Sequence, residues 1–563
     1  PQLYALETPA VAPPVPSELC LETGGRIAAD GSVLLPLSDS EIAILLKEIE
    51  ALEPDAIAIN LLFSFLDDGF ERKIEAAIQA QEAGRFVSRS SSVLPEYKEY
   101  ERGIATWLNA ALGPVISGYL KALQEELGST PLQVMQSSGE TMAASKAAES
   151  AVNLLLSGPA GGLTAIAFLA QQQGKTKFIS FDMGGTSTDV ALLDGKIRTS
   201  NESSIASYPI AVPMVDMETI GAGGGSIAFV DTGGMLQVGP RSAGADPGPA
   251  CYDRGGEEAT VSDANLVLGR LQFDAALAGD LKLSLHKARV SIEPLAKRIG
   301  LSIEETALGI IDIANEHMAK AIRLISVNKG HDPKEFILAS FGGAGSLHVC
   351  ALADAMGMRD AIVPVHGGVL SALGMVVAEQ GRQFSKTLSL DTEQIAEREL
   401  EQQYASLERL GISQLASEGL PASMLVSNRS ADLRYKGQSY TLNVDCDSIA
   451  EAVTAFQELH RQRYGYSHDA PIELLTIRVN VSTQKARFVM PEHIADTGCN
   501  NIQQCKVYGE TVKAKLLQRT QLCPGDWVAG PAIITEYSAT TFVAGGWSAA
   551  PDEFGNLILK KLD

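Results

Sequence analysis

The segment Lys177-Phe-Ile-Ser-Phe-Asp-Met-Gly-Gly-Thr-Ser-Thr-Asp-Val-Ala-Leu-Leu-Asp-Gly-Lys196 constrains the fold more than any other stretch of this chain. An apolar strand is expected to end at Asp182, a polar glycine turn follows, and a second strand begins at Val190. Asp194-Gly195 then supplies a tight turn of the kind that suits strand twist. The pattern suits a polyphosphate. Gly184 and Gly185 carry no Cβ, so the backbone can come close and aim N–H groups at phosphate oxygens. Thr186, Ser187 and Thr188 add hydroxyl donors. Asp182 and Asp189 cannot bind phosphate directly; they are expected to hold Mg²⁺, mostly through its waters. A plain glycine hairpin with solvated polar residues is the competing reading. Two aspartates bracketing a run of glycines and hydroxyls, with a strand on each side, weigh against it. Gly174-Lys175-Thr176 looks like the end of a different phosphate loop, but Leu169 stands where that loop requires glycine, and a helix precedes it.

The flanking sequence alternates helical and strand patterns. Asp39 or Ser40 is expected to cap a helix carrying Ile42, Leu45, Leu46, Ile49 and Leu52 at helical spacing. Ala56–Phe63 reads as a buried strand, and Asp67 and Asp68 open a second helix through Ile78. Tyr97–Leu127 is helical in pattern and Leu132–Gln136 reads as a strand. This alternation implies an α/β layer with a largely parallel sheet. Residues 151–380 are glycine-rich and hold the strong motifs. Farther on, a helix over Glu393–Leu410 precedes short alternating segments such as Tyr440–Val444 and Leu475–Val481, with turns at Pro524-Gly525-Asp526 and Ala544-Gly545-Gly546. These indicate a separate β-rich domain.

Bulk properties narrow the classes. The 563 residues suffice for two to four domains. A net charge of −23 excludes nucleic-acid binding by clustered Lys and Arg, and docking on an anionic membrane. The seven cysteines are scattered without a CxxC pair, which suits a reducing compartment such as the cytoplasm better than a disulfide framework, although Cys499 and Cys505 could still pair. Ser150–Gly174 is an uncharged run long enough to mimic a membrane span, but Ser157-Gly158-Pro159 and Gly161-Gly162 break it, leaving a buried turn and a helix.

The strand–DxGGTxTD–strand arrangement resembles the phosphate-binding hairpin of the actin/sugar kinase/Hsp70 superfamily, where two similar lobes each contribute such a hairpin and ATP lies between them. A nucleoside-binding turn is then expected later in the second lobe, and Phe336-Ile-Leu-Ala-Ser-Phe-Gly-Gly-Ala-Gly-Ser-Leu-His348 fits. Gly342 and Gly343, with Gly345 beyond, would let the backbone lie against ribose and α-phosphate, and the following helix N-terminus would favour the anion. Longer phrases resemble one branch, the hydantoinase A/5-oxoprolinase family. They include Leu155–Gly162, Thr219-Ile-Gly-Ala-Gly-Gly-Gly-Ser-Ile227, Val238–Tyr252, Thr260-Val-Ser-Asp-Ala-Asn265, Tyr464-Gly-Tyr466 and Gly530-Pro-Ala-Ile-Ile-Thr-Glu536. Two positions depart from the family pattern: Glu140 stands where a second glycine is usual, and Ser346 where proline is.

The resemblance implies actin-like (ribonuclease H-like) ATPase lobes, with mixed sheets flanked by helices, and a C-terminal β-rich α+β domain. The expected divisions are 1–150 for the remainder of a first lobe, 151–385 for the second lobe, and 386–563 for the C-terminal domain. Family members begin with a first DxGGTxTD-like loop. Pro1 stands roughly a hundred residues into that pattern, so the first lobe is expected to be incomplete. The implied activity is ATP-dependent phosphorylation of the carbonyl oxygen of a cyclic amide, such as hydantoin or 5-oxoproline, for ring opening with a hydantoinase B-like subunit in an oligomer. The alternatives are the ATP-using subunit of a ketone carboxylase and a nucleotide-dependent switch or reactivase. Neither GxSxG nor HExxH occurs, so amide hydrolysis by this chain alone is not expected.

Other residues carry weaker signals. The glycine run from Gly221 to Gly248 is either a loop facing the cleft or a tightly turned structural loop, with Asp216, Asp246 and Asp263 as acidic candidates. Asp263 is equally a helix N-cap. His348 and His366 lie near turns and are expected to be structural. Glu316 and His317 sit on a helix whose apolar face includes Ile310, Ala314, Met318, Ala321 and Ile325, where packing is the default role. Arg323 is expected to form an ion pair.

Overall fold

The computed structural model describes residues 13–201, 203–205, 208–273, 282–484, 488–495 and 502–563. Its centre is a nine-stranded sheet. In chain order the strands are β1 (Lys177–Met183), β2 (Thr188–Asp194), β3 (Lys196–Ile197), β4 (Met217–Ile220), β5 (Ile337–Phe341), β6 (Asp360–Val363), β7 (Val528–Ala529), β8 (Trp547–Pro551) and β9 (Leu557–Lys561). Across the sheet they run β4-β2-β1-β5-β6-β9-β8-β7, with β3 paired to β2. β1, β5 and β6 are parallel, whereas β2 and β4 continue the sheet antiparallel on one side and β9, β8 and β7 on the other.

β1 carries apolar side chains on both of its faces, Phe178 on one and Ile179, Phe181 and Met183 on the other, because both faces of the sheet are covered. Phe178 packs with Leu163, Ile166 and Leu169 of the helix Ser157–Gln172 (α1). Ile179, Phe181 and Met183 face the other way, into a core with the helix Ile303–Ile325 (α2). α2 starts at a capping box in which Ser302 and Glu305 satisfy each other's backbone N–H groups, and it buries Ile310, Ala314, Met318, Ala321 and Ile325. Glu316 and His317 do not share in that packing; both lie on its exposed side. Arg323 Nη1 donates to Glu316 Oε1 at 2.8 Å, an exposed ion pair as expected.

The Gly161-Gly162 pair does not break α1. It lies inside the helix, where the helix Leu370–Val377 (α3) crosses at backbone contact. A Cβ on Gly374 would stand 1.8 Å from Gly161 O, and one on Gly162 2.7 Å from the Phe341 ring. No helix among the described residues is long and apolar enough to cross a membrane.

Toward the N-terminus, the parallel pair Ala56–Ile59 and Phe86–Arg89 packs with the helices Asp39–Leu52, Gly69–Gln81 and Glu99–Leu127. The cap of the first of these helices is Ser38, not Asp39 or Ser40, because Glu41 closes a capping box with it. The strand stops at Ile59, short of Phe63.

Beyond residue 380 the described strands fall into three sheets. Gly381–Asp391, Leu425–Tyr435, Leu442–Asp445 and Ile472–Thr483 form an antiparallel four-stranded sheet, with the helices Glu397–Ser417 and Ile449–Tyr464 packed on one face. Gln503–Cys505, Ala514–Gln518, Ala532–Thr535 and Thr540–Val543 form a second four-stranded sheet. The last strands return to the centre: β9 pairs with β6 in full register, from Asp360 opposite Lys560 to Val363 opposite Leu557. An alternating strand reads the same whichever sheet it joins, so pattern alone could not assign these strands to the central sheet. Cys499, suggested as a partner of Cys505, lies outside the described residues.

Candidate active site

β1 and β2 pair without a slip, so Asp182 lies directly opposite Asp189 and Met183 opposite Thr188. Gly184 N–H donates to Ser187 O at 3.1 Å and closes the loop. Gly185 and Thr186 stand exposed at its tip, with Ser187 half-buried beside them. Burial, with Asp189 across the ladder, pushes the Asp182 carboxyl up to about 7. Burial raises Asp189 too, opposed by the Thr219 hydroxyl, which donates to its Oδ1 at 2.6 Å. Like charges directly opposite in a sheet are unfavourable unless a proton or a cation intervenes. This donor set suits Mg²⁺, which takes one or two carboxylates and completes its shell with phosphate oxygens and water. Among the described residues no group of three or more His, Cys, Asp or Glu is placed to hold a metal.

The loop rests on a second layer of backbone. Gly224 N–H donates to Gly184 O at 3.0 Å and Gly225 N–H to Gly185 O at 2.7 Å, while Ser262 N–H donates to Gly224 O at 2.8 Å. A Cβ on Gly223 would come within 2.7 Å of Gly185 C and Thr186 N. The run Gly221-Ala-Gly-Gly-Gly225 is thus the bed of the phosphate hairpin rather than a wall of the cleft. Three consecutive glycines in the sequence are the signal of that close approach. Thr188 is corrected accordingly: it is fully buried and its hydroxyl donates to Ala222 O, so it anchors the hairpin to this bed and does not face a ligand.

The second glycine turn meets the same hairpin. Phe341, the last residue of β5, is level with Asp182 on β1. Gly342 follows with φ +78°, and a Cβ there would fall 2.4 Å from Asp182 Oδ1 and from Met183 O. Its N–H donates to Gly367 O at 3.0 Å, and Ala344 N–H donates to Met183 O at 3.1 Å. Gly343 is exposed, with open space where a Cβ would be. Gly345 differs from the expectation: it is buried in the turn Gly345–Leu347, 3.0 Å from Ser340 Oγ and 3.5 Å from the Phe181 ring by its Cβ position, and it packs rather than binds. The following helix begins only at Val349.

The remaining candidates resolve into structural roles. Asp263 is the third residue of a capping box whose N-cap is Thr260, and it also accepts from Cys251 N–H at 2.6 Å. Asp216 is ion-paired with Lys329 at 2.7 Å, and Asp246 is exposed. His348 is fully buried, and burial with Arg270 nearby pushes it down to about 3. It is therefore neutral, and its Nδ1 is 2.7 Å from Asn315 Oδ1. His366 is exposed, with φ +58°. Glu140 is half-buried, its carboxyl pushed up to about 7 by desolvation, and its Oε1 accepts from Asn480 Nδ2 at 2.7 Å. Its place is thus the contact between the hairpin Gln133–Ala143 and the sheet of residues 381–483, away from the glycine turns. Ser346 donates to Thr540 O at 2.8 Å.

Comparison with known proteins agrees with this geometry. Residues 102–383 match the hydantoinase/oxoprolinase family, residues 1–81 its N-terminal region and residues 388–562 its C-terminal domain. The caprolactamase subunit alpha of Pseudomonas jessenii is 34% identical over 96% of this chain and 81% of its own length. The 5-oxoprolinase 1 of Arabidopsis thaliana is 32% identical over 93% of this chain, which spans 44% of that longer protein. Among solved structures, the ATP-dependent caprolactamase from Pseudomonas jessenii superposes with a TM-score of 0.88 at 32% identity, covering 99% of this chain and 84% of that one. A nucleotide-free acetone carboxylase, described as carrying out ATP-dependent acetone carboxylation, superposes with a TM-score of 0.76 at 25% identity, covering 98% and 82%. With two glycine turns built around one pair of facing carboxylates, and matches along its whole length, the chain belongs to the hydantoinase/oxoprolinase family.

Proposed function

We propose that this chain uses ATP to phosphorylate the carbonyl oxygen of a cyclic amide, making the ring susceptible to opening by water. The observation that carries this is the placement of Asp182 and Asp189 face to face at the base of an exposed glycine–hydroxyl loop, with the Gly342–Gly343 turn beside them. Asp182 and Asp189 would hold Mg²⁺. When bound, this ion supplies positive charge to the phosphate oxygens. The N–H groups of Gly185 and Thr186 and the hydroxyls of Thr186 and Ser187 orient the polyphosphate, and Gly343 offers open backbone to the nucleoside. Catalysis of phosphoryl transfer is mostly positioning and charge stabilisation, which suits a site without a nucleophile of its own.

In the reaction, the amide carbonyl oxygen attacks the γ-phosphorus, the bond to the β-phosphate oxygen breaks, and ADP leaves. The O-phosphorylated amide then accepts water at carbon, cleavage of the C–N bond expels the ring nitrogen as a protonated amine and leaves an acyl phosphate, and a second water hydrolyses that to carboxylate and inorganic phosphate. A hydantoinase B-like partner subunit is the place for that second half, since a relative of this chain is named as one subunit of its enzyme.

The test is ADP release by the chain with Mg²⁺ and a panel of lactams and hydantoins. Release that depends on one cyclic amide, and that disappears in Asp182→Asn, is the expected result. Turnover indifferent to every amide would support a nucleotide switch instead. The likeness to acetone carboxylase favours one further reading, in which the phosphorylated oxygen is that of an enolate, so acetone with bicarbonate belongs in the panel.

A further inference from the structure

In the phrase Thr260-Val-Ser-Asp-Ala-Asn265, Thr260 and Asp263 close a capping box, which leaves the side chain of Ser262 unused. The backbone N–H of Ser262 donates to Gly224 O at 2.8 Å and ties this residue to the bed of the phosphate hairpin. Its hydroxyl lies where three segments meet. A Cβ on Gly224 would stand 2.9 Å from Ser262 Oγ, 3.5 Å from Ala344 Cβ and 3.8 Å from Gly184 O. The phosphate loop, the second glycine turn and the Ser262 hydroxyl thus surround one point. Any side chain on Gly224 would displace the hydroxyl from it.

Ser262 is half-buried, and its hydroxyl is neither closed to solvent nor hydrogen-bonded among the described residues. A serine hydroxyl has one proton to give and two lone pairs to receive. The Tyr252 phenol is its neighbour: burial raises that phenol, and the Ser262 hydroxyl opposes the shift. A phenol donating to Ser262 Oγ leaves the serine proton for a ligand. The segments that meet here, 182–189, 221–226, 260–265 and 341–348, contain neither lysine nor arginine. Within them, charge on a bound phosphate is met by neutral donors beside the metal, so each donor counts for more.

We propose that Ser262 donates its hydroxyl to the β-phosphate of the bound nucleotide. The loop tip at Gly185 and Thr186 takes the far end of the polyphosphate, and the turn at Gly343 takes the nucleoside end. A donor between Gly184 and Ala344 then meets the middle phosphate. As the γ-phosphorus is attacked, the electrons of its bond to the β-phosphate oxygen pass to the departing ADP. A donor already aimed at that group stabilises the charge as it forms. The proposal rests on the nucleotide-binding reading above and adds to it a residue for the leaving group, outside both glycine turns.

The test is titration of the full chain, with Mg²⁺ present, by AMP, ADP and ATP, followed by calorimetry. The wild-type chain is expected to prefer ADP over AMP. Ser262→Ala should weaken ADP and ATP by about tenfold and leave AMP unchanged, because AMP carries no β-phosphate. The preference for ADP over AMP then shrinks by the same factor. A Ser262→Ala protein that keeps the wild-type ratio overturns the proposal, whether both affinities stay the same or both fall together. In the second case the serine only shapes the glycine turns around it. Failure of the wild-type chain to bind either ADP or ATP overturns the nucleotide reading itself, and this proposal with it.

Discussion

Asp182 and Asp189 face each other because β1 and β2 pair without a bulge, and burial makes their shared charge costly. A carboxyl raised to about 7 binds its proton more tightly in the folded than in the unfolded chain. Between roughly pH 4 and pH 7 the folded state therefore holds more protons, and stability from this group falls as pH rises through that window. Asp182→Asn removes the penalty. Without divalent ions at pH 8 it is expected to stabilise the protein by on the order of 2 kcal/mol, with little effect near pH 3, where the carboxyl is protonated in both states. Mg²⁺ should raise the wild-type melting temperature more at pH 8 than at pH 6, and Asp182→Asn should lose most of that increment. A variant no more stable than wild type at pH 8, and equally responsive to Mg²⁺, would refute the paired-carboxylate account. At this scale the strand–turn–strand pattern was legible, since Asp182 and Asp189 end opposite each other and Gly185, Thr186 and Gly343 are exposed in the turns. Thr188 and Gly345 are buried, and a motif does not say which of its members turn inward. Here Ala222 O and the Phe181 ring occupy the space beside them.

Among the elements, the crossing of α1 and α3 sets how the loop after β6 approaches the site. Gly374 and Gly161 meet at backbone distance, with room for no further atom. Gly374→Ala is expected to force the helices apart and to destabilise the fold by about 1–3 kcal/mol, read as a lower urea midpoint at unchanged slope. Sequence analysis treated Gly161-Gly162 as a break because glycine disfavours helix. Tertiary contact reversed the preference: the missing side chains are what the crossing helix requires. The glycine run at 221–225 was likewise left between two readings, because glycine allows close approach without naming what approaches.

Across the whole molecule, Arg478 ties together three parts of the chain. It lies on the strand Ile472–Thr483, donates Nη2 to Glu96 at 2.9 Å and Nε to Asp432 at 3.0 Å, and is 4% exposed. Asn201, from the segment after β3, also turns its amide oxygen to this guanidinium. The residues line one side of a cleft of about 2110 Å³ between the central sheet, the N-terminal segment and the sheet of residues 381–483. Arg478→Met would leave two carboxylates buried without their cation and is expected to cost about 3–5 kcal/mol in denaturant unfolding. Neutralising both partners in the same chain, as Glu96→Gln with Asp432→Asn, should recover part of the loss. No recovery would mean that the arginine acts by packing rather than by charge.

The sequence by itself determined the local chemistry: which strands flank the phosphate loop, which carboxylates stand at its base, and where a second glycine turn follows. These are readable because a tight hairpin and a backbone approach demand particular residues at fixed spacing. Only the tertiary structure decided that the strands Val528–Ala529, Trp547–Pro551 and Leu557–Lys561 complete the central sheet, that Gly223–Gly225 form the bed of the loop, and that Ser346 meets the strand Thr540–Val543. Each of these joins residues far apart in the chain through backbone hydrogen bonds or steric fit, and such contacts leave no periodicity in the sequence to betray their partner.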